Sequence, residues 1–240
     1  MIEVRQIKKA FNDEEVLRDV SFKLRENETL SVLGASGSGK STLLKIIAGL
    51  LDGYSGTILV NGKAIDDVKP KNRGTVYIYQ QPLLFPHLNV EQNIAFGLTI
   101  RDRENSFIQE ETGRMIAELQ LQGQEHKYPH QLSGGQQQRV SFGRAFIIRP
   151  EMLLLDEPFA SLDPSTRRDM QILFKEIAQK EGITSLFVTH DLKEALITGD
   201  RFGMMSAGKL RVFDDKESFI KDSESGVQEE IQFWKEIQNH

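Results

Sequence analysis

The chain has 240 residues, 39% hydrophobic and 27% charged, the composition of one folded domain or of two small lobes sharing a core. A formal net charge of −5 is a poor electrostatic match for nucleic acid. The absence of cysteine excludes disulfides, thiolate nucleophiles and cysteine zinc sites, and suits a reducing cytoplasm. The N-terminus Met1-Ile2-Glu3-Val4-Arg5 runs straight into an alternating pattern, so no signal peptide is expected. No apolar run approaches the ~18–20 residues that span a bilayer, so a membrane role would be borrowed from a partner.

Residues 2–7 and 16–24 alternate apolar and polar, as half-buried strands do, with Phe11-Asn12-Asp13 read as the turn between them. Thr29-Leu30-Ser31-Val32-Leu33 reads as a buried strand. It leads into Gly34-Ala35-Ser36-Gly37-Ser38-Gly39-Lys40-Ser41-Thr42, the G-x-x-x-x-G-K-S pattern of a Walker A phosphate loop. The glycines let the backbone curl so that successive N–H groups point inward, and an apolar helix over residues 42–51 adds its N-terminal donors. Lys40 supplies a point charge for the β- and γ-phosphates, and Ser41 offers a hydroxyl to Mg²⁺. A further strand over residues 56–62 closes on Asn61-Gly62. With the first two it suggests a small antiparallel sheet.

The run Val76-Tyr77-Ile78-Tyr79 ends at Gln80. Pro82-Leu83-Leu84-Phe85-Pro86-His87-Leu88 is apolar but holds two prolines, so it reads as an exposed loop, and such loops mark contact sites. Helices are expected over residues 90–99 and 106–121, and a polar loop over 122–130. Leu132-Ser133-Gly134-Gly135-Gln136 carries two compatible readings. Ser133 and Gln136 form a capping box opening a helix over 137–148, and a capped start with glycines in front is also an anion site.

Met152-Leu153-Leu154-Leu155 ends at Asp156-Glu157, a Walker B strand in which Asp156 would hold Mg²⁺ and Glu157 would act as general base. The fourth apolar run, residues 183–188, ends at Thr189-His190. Four such runs separated by helical patterns require a mostly parallel sheet covered on both faces, with the ligand beyond its carboxyl edge. All four polar ends would gather there. Residues 228–237 read as a short amphipathic helix with Trp234 on its apolar face.

The order of Walker A, Gln80, Leu-Ser-Gly-Gly-Gln, Walker B, Ser161-Leu162-Asp163 and His190 resembles the nucleotide-binding subunit of an ATP-binding cassette (ABC) transporter over residues 1 to about 213. The resemblance implies an α/β P-loop NTPase fold. Residues 1–88 and 149–240 would form the nucleotide-binding core with its antiparallel β subdomain, and 89–148 a helical signature subdomain. It implies two copies sandwiching two Mg-ATP head to tail, so that Ser133, Gly134, Gly135 and Gln136 meet the γ-phosphate held by the other copy. Phe11, with Val16 beside it, matches the aromatic that stacks on adenine; its other reading is a core aromatic at a strand turn. Gln80 matches a glutamine that touches Mg²⁺ and water and senses the membrane subunit. His190 matches the switch histidine, and Asp163 an aspartate that communicates across the dimer.

Residues 80–98 match the groove that receives a permease's coupling helix. The segment Asn93-Ile94-Ala95-Phe96-Gly97-Leu98 is similar to importers of the maltose, polyamine, iron and molybdate types, which work with a substrate-binding protein. Many of those carry a C-terminal regulatory domain, for which a chain ending at His240 leaves no room. Phe142, Gly143 and Phe146 depart from the small-residue pattern usual after the signature. The resemblance thus implies an importer ATPase on the cytoplasmic face of the membrane. The rival readings are a soluble ABC ATPase acting on nucleic acid or the ribosome, and a binding module without turnover.

Overall fold

A computed structural model describes residues 1–223 and 226–238, without the side chains of 231, 233–235 and 237–238, so the expected placement of Trp234 lies outside the described residues. Strand β1 (Ile2–Phe11) pairs antiparallel with β2 (Glu14–Leu24). Phe11 is therefore the last residue of a strand and not part of the expected turn. Asn12 alone takes a left-handed backbone there (φ 53°), and a two-residue loop suffices. Strand β3 (Thr29–Leu33) is buried at every position and leads through the phosphate loop into helix α1 (Lys40–Ala48). Strands β4 (Ser55–Val60) and β5 (Lys63–Ala64) close on Asn61-Gly62, both at positive φ (50° and 78°), as a type I′ turn requires. The order β2-β1-β4-β5 makes an antiparallel sheet of four strands.

Strand β6 (Thr75–Ile78) precedes helices α2 (Val90–Thr99), α3 (Asn105–Glu118) and α4 (Gly134–Phe146). Next come β7 (Met152–Asp156), α5 (Pro164–Lys180), β8 (Ser185–Thr189) and α6 (Leu192–Thr198). The described chain ends with β9 (Arg201–Ser206), β10 (Lys209–Phe213), α7 (Lys216–Lys221) and α8 (Val227–Gln238). A six-stranded sheet runs β10-β9-β3-β8-β7-β6, parallel throughout except where β10 meets β9. Four of its six strands, β3, β6, β7 and β8, are the four apolar runs, and their carboxyl ends deliver the phosphate loop, Gln80, Glu157 and His190 to one edge.

The helices after β6 share one apolar cluster with β7, α5 and β8. At its centre Phe142 stacks on Phe146 (ring centroids 5.6 Å, 4° apart) and meets Phe159 edge-on at 5.5 Å and Phe174 at 5.7 Å. Phe187 of β8 closes on Phe159 and Phe174 at 5.8 Å each. Next in sequence to Phe142, Gly143 has no room for a side chain. A Cβ there would lie 2.6 Å from Leu119 and 3.0 Å from Ile94. The bulky and the missing side chains belong to one packing solution: aromatics lock α4 to α5 and to the loop after β7, and the glycine lets α4 close on α2. Replacing Phe142 by Ala should cost about 3–5 kcal/mol of unfolding free energy in denaturant titrations. A loss under about 1 kcal/mol would mean the ring is not packed as described.

Candidate nucleotide-binding site

The phosphate loop is set by two close approaches. A Cβ on Gly34 would lie 2.4 Å from the Met205 carbonyl oxygen, and Gly39 (φ 104°) would place one 2.9 Å from the Val16 carbonyl oxygen. Gly39 caps α1 without any side-chain hydrogen bond, and the first turn holds no acidic residue, so the helix's N-terminal donors remain open to an anion. Lys40 is buried (5% exposed), and its Nζ donates to the carbonyls of Gly34 (2.6 Å) and Ala35 (3.0 Å). Burial pulls its pKa below the usual lysine value, partly offset by the charges of Glu157 and Asp156. Ser38 Oγ is buried without a hydrogen-bond partner. A desolvated ammonium served mainly by carbonyls, an orphan hydroxyl and an uncapped helix start form a cradle that phosphate oxygens complete.

Three adjoining clefts share Ser36. One of about 260 Å³ is lined by Phe11 and Val16 at one end and by Gly39, Lys40, Ser41, Thr42 and Glu157 at the other. Phe11 is exposed, and the Lys9 ammonium sits 4.9 Å from its ring centroid. The second cleft, about 460 Å³, brings together Ser41, Gln80, Gln81, Asp156 and Glu157. The third, about 530 Å³, faces Gly34, Ala35, Gly37 and Ser38 with His190. The phosphate loop, Phe11, Val16, Gln80, Asp156, Glu157 and His190 therefore converge. Ser133, Gly134, Gly135 and Gln136 line none of these three clefts. Ser133 and Gln136 close the expected capping box at the start of α4 (2.9 and 3.3 Å), leaving Ser133 and Gly134 exposed. Asp163 caps α5, accepting from Ser165 Oγ (2.6 Å) and the Thr166 N–H (3.1 Å). These bonds hold its carboxyl well below the usual range.

Ser41 Oγ donates to Asp156 Oδ1 at 2.8 Å, which sets two hard oxygen donors side by side. Among the described residues no group of three His, Cys, Asp or Glu could hold a metal. The paired oxygens of Ser41 and Asp156 could hold Mg²⁺, which takes one or two protein oxygens and fills its remaining positions with water and phosphate. Asp156 Oδ2 accepts from Tyr77 Oη at 2.6 Å. Sequence reasoning missed Tyr77, although a tyrosine inside an apolar strand signals a hydroxyl that needs a partner. Burial and this bond push the Tyr77 hydroxyl pKa far up, so it stays a donor. Tyr77→Phe should lower unfolding stability by about 1.5 kcal/mol, the lower range for a hydrogen bond to a charged group. Unchanged stability in denaturant would show the bond to be idle.

Glu157 takes a left-handed backbone (φ 47°), uncommon for any residue but glycine, and its N–H is fixed to the Val188 carbonyl at 3.0 Å. Its Oε2 lies 2.8 Å from His190 Nδ1 and its Oε1 3.9 Å from Lys40 Nζ. A carboxylate held by strain and flanked by a cation and an imidazole at a phosphate cradle is the geometry of nucleotide chemistry.

The sequence profile described as ABC transporter matches residues 17–160, which spans this loop, the signature and the Glu157 turn. The chain belongs to the ABC transporter family. Membership in this ABC family carries ATP binding with it. Among curated relatives, the "Spermidine/putrescine import ATP-binding protein PotA" of Clostridium novyi is 38% identical over 222 residues, 92% of this chain and 64% of its own length. The protein of the same name from Mycoplasma capricolum is 40% identical over 225 residues, 94% and 64%. The "Sulfate/thiosulfate import ATP-binding protein CysA" of a Synechocystis species is 40% identical over 207 residues, 86% and 58%. The chain thus spans about three fifths of the length of these relatives. Among the described residues no helix is long and apolar enough to cross a membrane.

Proposed function

We propose that this chain is the ATP-hydrolysing subunit of an ABC importer, working as a head-to-tail pair on the cytoplasmic face of the membrane. The observation that carries the shared site is the separation just described: phosphate loop, Glu157 and His190 converge, while Ser133 and Gly134 stay exposed outside their clefts. An anion-binding helix start with no phosphate of its own fits one held by a second copy, and Asp163 would meet that copy beside it. Residues 1–88 and 149–240 act as the nucleotide-binding core and 89–148 as the signature-bearing part.

In this reading adenine stacks on Phe11 beside Val16, and backbone N–H groups from Gly34 to Thr42 hold the phosphates. Lys40 leaves its loop carbonyls for the β- and γ-phosphates. Ser41, Asp156 and Gln80, which share one cleft, would hold Mg²⁺, and the ion would neutralise charge on the phosphate oxygens. Glu157 takes a proton from water as the water oxygen attacks the γ-phosphorus. The bond to the bridging oxygen breaks, giving ADP and inorganic phosphate. His190 holds Glu157 and faces the γ-phosphate, and catalysis is positioning plus charge stabilisation.

Residues 80–98 would dock a permease, with a substrate-binding protein supplying cargo outside. Relatives named for a polycation and for an inorganic anion share this domain, so cargo choice belongs to those partners. A role on nucleic acid is not favoured. The test is phosphate release by the purified full chain at fixed ATP over a ~100-fold range of protein concentration. Turnover per chain should climb with concentration. A rate indifferent to dilution would remove the shared site.

A further inference from the structure

Behind the His190 turn lies a buried polar strut that the reading above does not use. Glu194 on α6 is 4% exposed. Its Oε2 accepts from the Thr189 hydroxyl, and its Oε1 accepts from Gln171 Nε2 of α5 at 3.3 Å. Thr189 Oγ1 in turn accepts the Asp191 N–H at 3.0 Å, so the residues on both sides of His190 are tied to one carboxylate. Along α5, Arg167 donates to the carbonyls of Leu162 (2.8 Å) and Ala160 (3.3 Å), in the segment that runs to Asp163. His190 Nδ1 meets Glu157 at 2.8 Å. Arg167 Nη1 also lies 3.9 Å from Asp191 Oδ2, so the loop before α5 and the His190 turn meet through that ion pair and through the shared frame of α5.

A buried carboxylate is costly unless its bonds are made, and here each oxygen has one donor. Burial pushes the Glu194 carboxyl pKa up, Asp191 adds to this, and the two hydrogen bonds and Arg167 hold it down. A purely apolar contact would join α5 to α6 at less cost. Oriented hydrogen bonds fix the angle of the Thr189–Asp191 turn, which packing alone does not.

We propose that Glu194 is a positioning residue that clamps the His190 turn to α5, so that movement of the loop carrying Asp163 is delivered to the His190–Glu157 contact. This rests on the proposed hydrolysis at that site, but the clamp itself can be tested without turnover. Glu194→Gln keeps an acceptor for Thr189, Glu194→Ala removes both bonds, and Gln171→Leu cuts only the tie to α5. In the full chain, Glu194→Ala should lower kcat by about 10²-fold, the cost typical of a misplaced catalytic group, while ATP affinity stays within about twofold. Glu194→Gln should recover most of the rate, and Gln171→Leu should fall between. Adding His190→Ala to Glu194→Ala should cost far less than the two losses multiplied, because both act through one ring.

Multiplicative losses, or an equal fall in ATP affinity, would reduce Glu194 to ordinary core structure. Hydrogen exchange on the nucleotide-free protein separates the clamp from the hydrolysis reading. Gln171→Leu and Glu194→Ala should speed exchange at the amides of residues 190–194 by tenfold or more and leave Leu186, Phe187 and Val188 protected. Unchanged exchange overturns the clamp whether or not the wild type turns over. Should Glu194→Ala fail to fold, Glu194→Gln and Gln171→Leu decide the matter by the same readings.

Discussion

Glu157→Gln should abolish multiple turnover, lowering phosphate release by about 10²–10⁴-fold, the usual cost of losing a general base. The substitution keeps shape and hydrogen bonding. The amide oxygen can still face His190 Nδ1, now 2.8 Å from Oε2, and the backbone stays pinned to Val188. What disappears is the capacity to take a proton from water. A negative charge 3.9 Å from Lys40 also disappears, and that charge opposes an incoming γ-phosphate. ATP should therefore bind at least as tightly as to wild type. If two copies share the site as proposed, blocking cleavage would leave the loaded pair no route to reopening, so ATP should produce a long-lived dimer on gel filtration that ADP does not. Wild-type turnover in the mutant would remove Glu157 from the chemistry. Loss of ATP binding would mean that its carboxylate shapes the cradle instead.

The legible parts of the molecule share a physical origin. Strands β3, β7 and β8 are buried almost throughout and β6 is half-buried at the sheet edge, so each is a mostly apolar run. Each exits at the same sheet edge, and the first polar residue after it is therefore a candidate site residue by position. Strands β9 and β10 were not read, because Arg201 and Gly203 interrupt one, and the other alternates with an exposed face at the sheet edge. Phe11 reads as a turn residue because no local signal separates the last strand residue from the first loop residue. Tyr77, Gln171 and Glu194 escaped notice for a different reason. Their partners, Asp156 for Tyr77, Glu194 for Gln171 and Thr189 for Glu194, lie on other elements, and a polar residue's use is decided by what the fold brings opposite it. The aromatics Phe142 and Phe146 looked anomalous in a helix read alone, and became ordinary once Phe159, Phe174 and Phe187 stood around them.

Lys40→Met should separate the stability of the fold from its affinity for nucleotide, and in opposite directions. Methionine keeps most of the buried stem and deletes the ammonium. In the nucleotide-free protein that ammonium is desolvated, and its pKa lies below the usual lysine value. The folded chain therefore holds fewer protons than the unfolded chain in a window below the ordinary lysine value of 10.5, and stability rises with pH across it. Below that window, at neutral pH, the charged lysine is a cost to folding. Lys40→Met should thus melt no lower than wild type without nucleotide, and the rise in stability with alkaline pH should flatten. ATP reverses the comparison. The two bonds that Nζ now gives to Gly34 and Ala35 would go to phosphate oxygens, and charged hydrogen bonds are worth about 1.5–3 kcal/mol each. Deleting them should weaken ATP binding by roughly 10²-fold, taking about 1.4 kcal/mol per tenfold. Calorimetric titration and ATP-dependent melting measure both halves. Unchanged ATP affinity would detach the loop from the phosphates, and a large drop in nucleotide-free stability would make Lys40 a structural bolt.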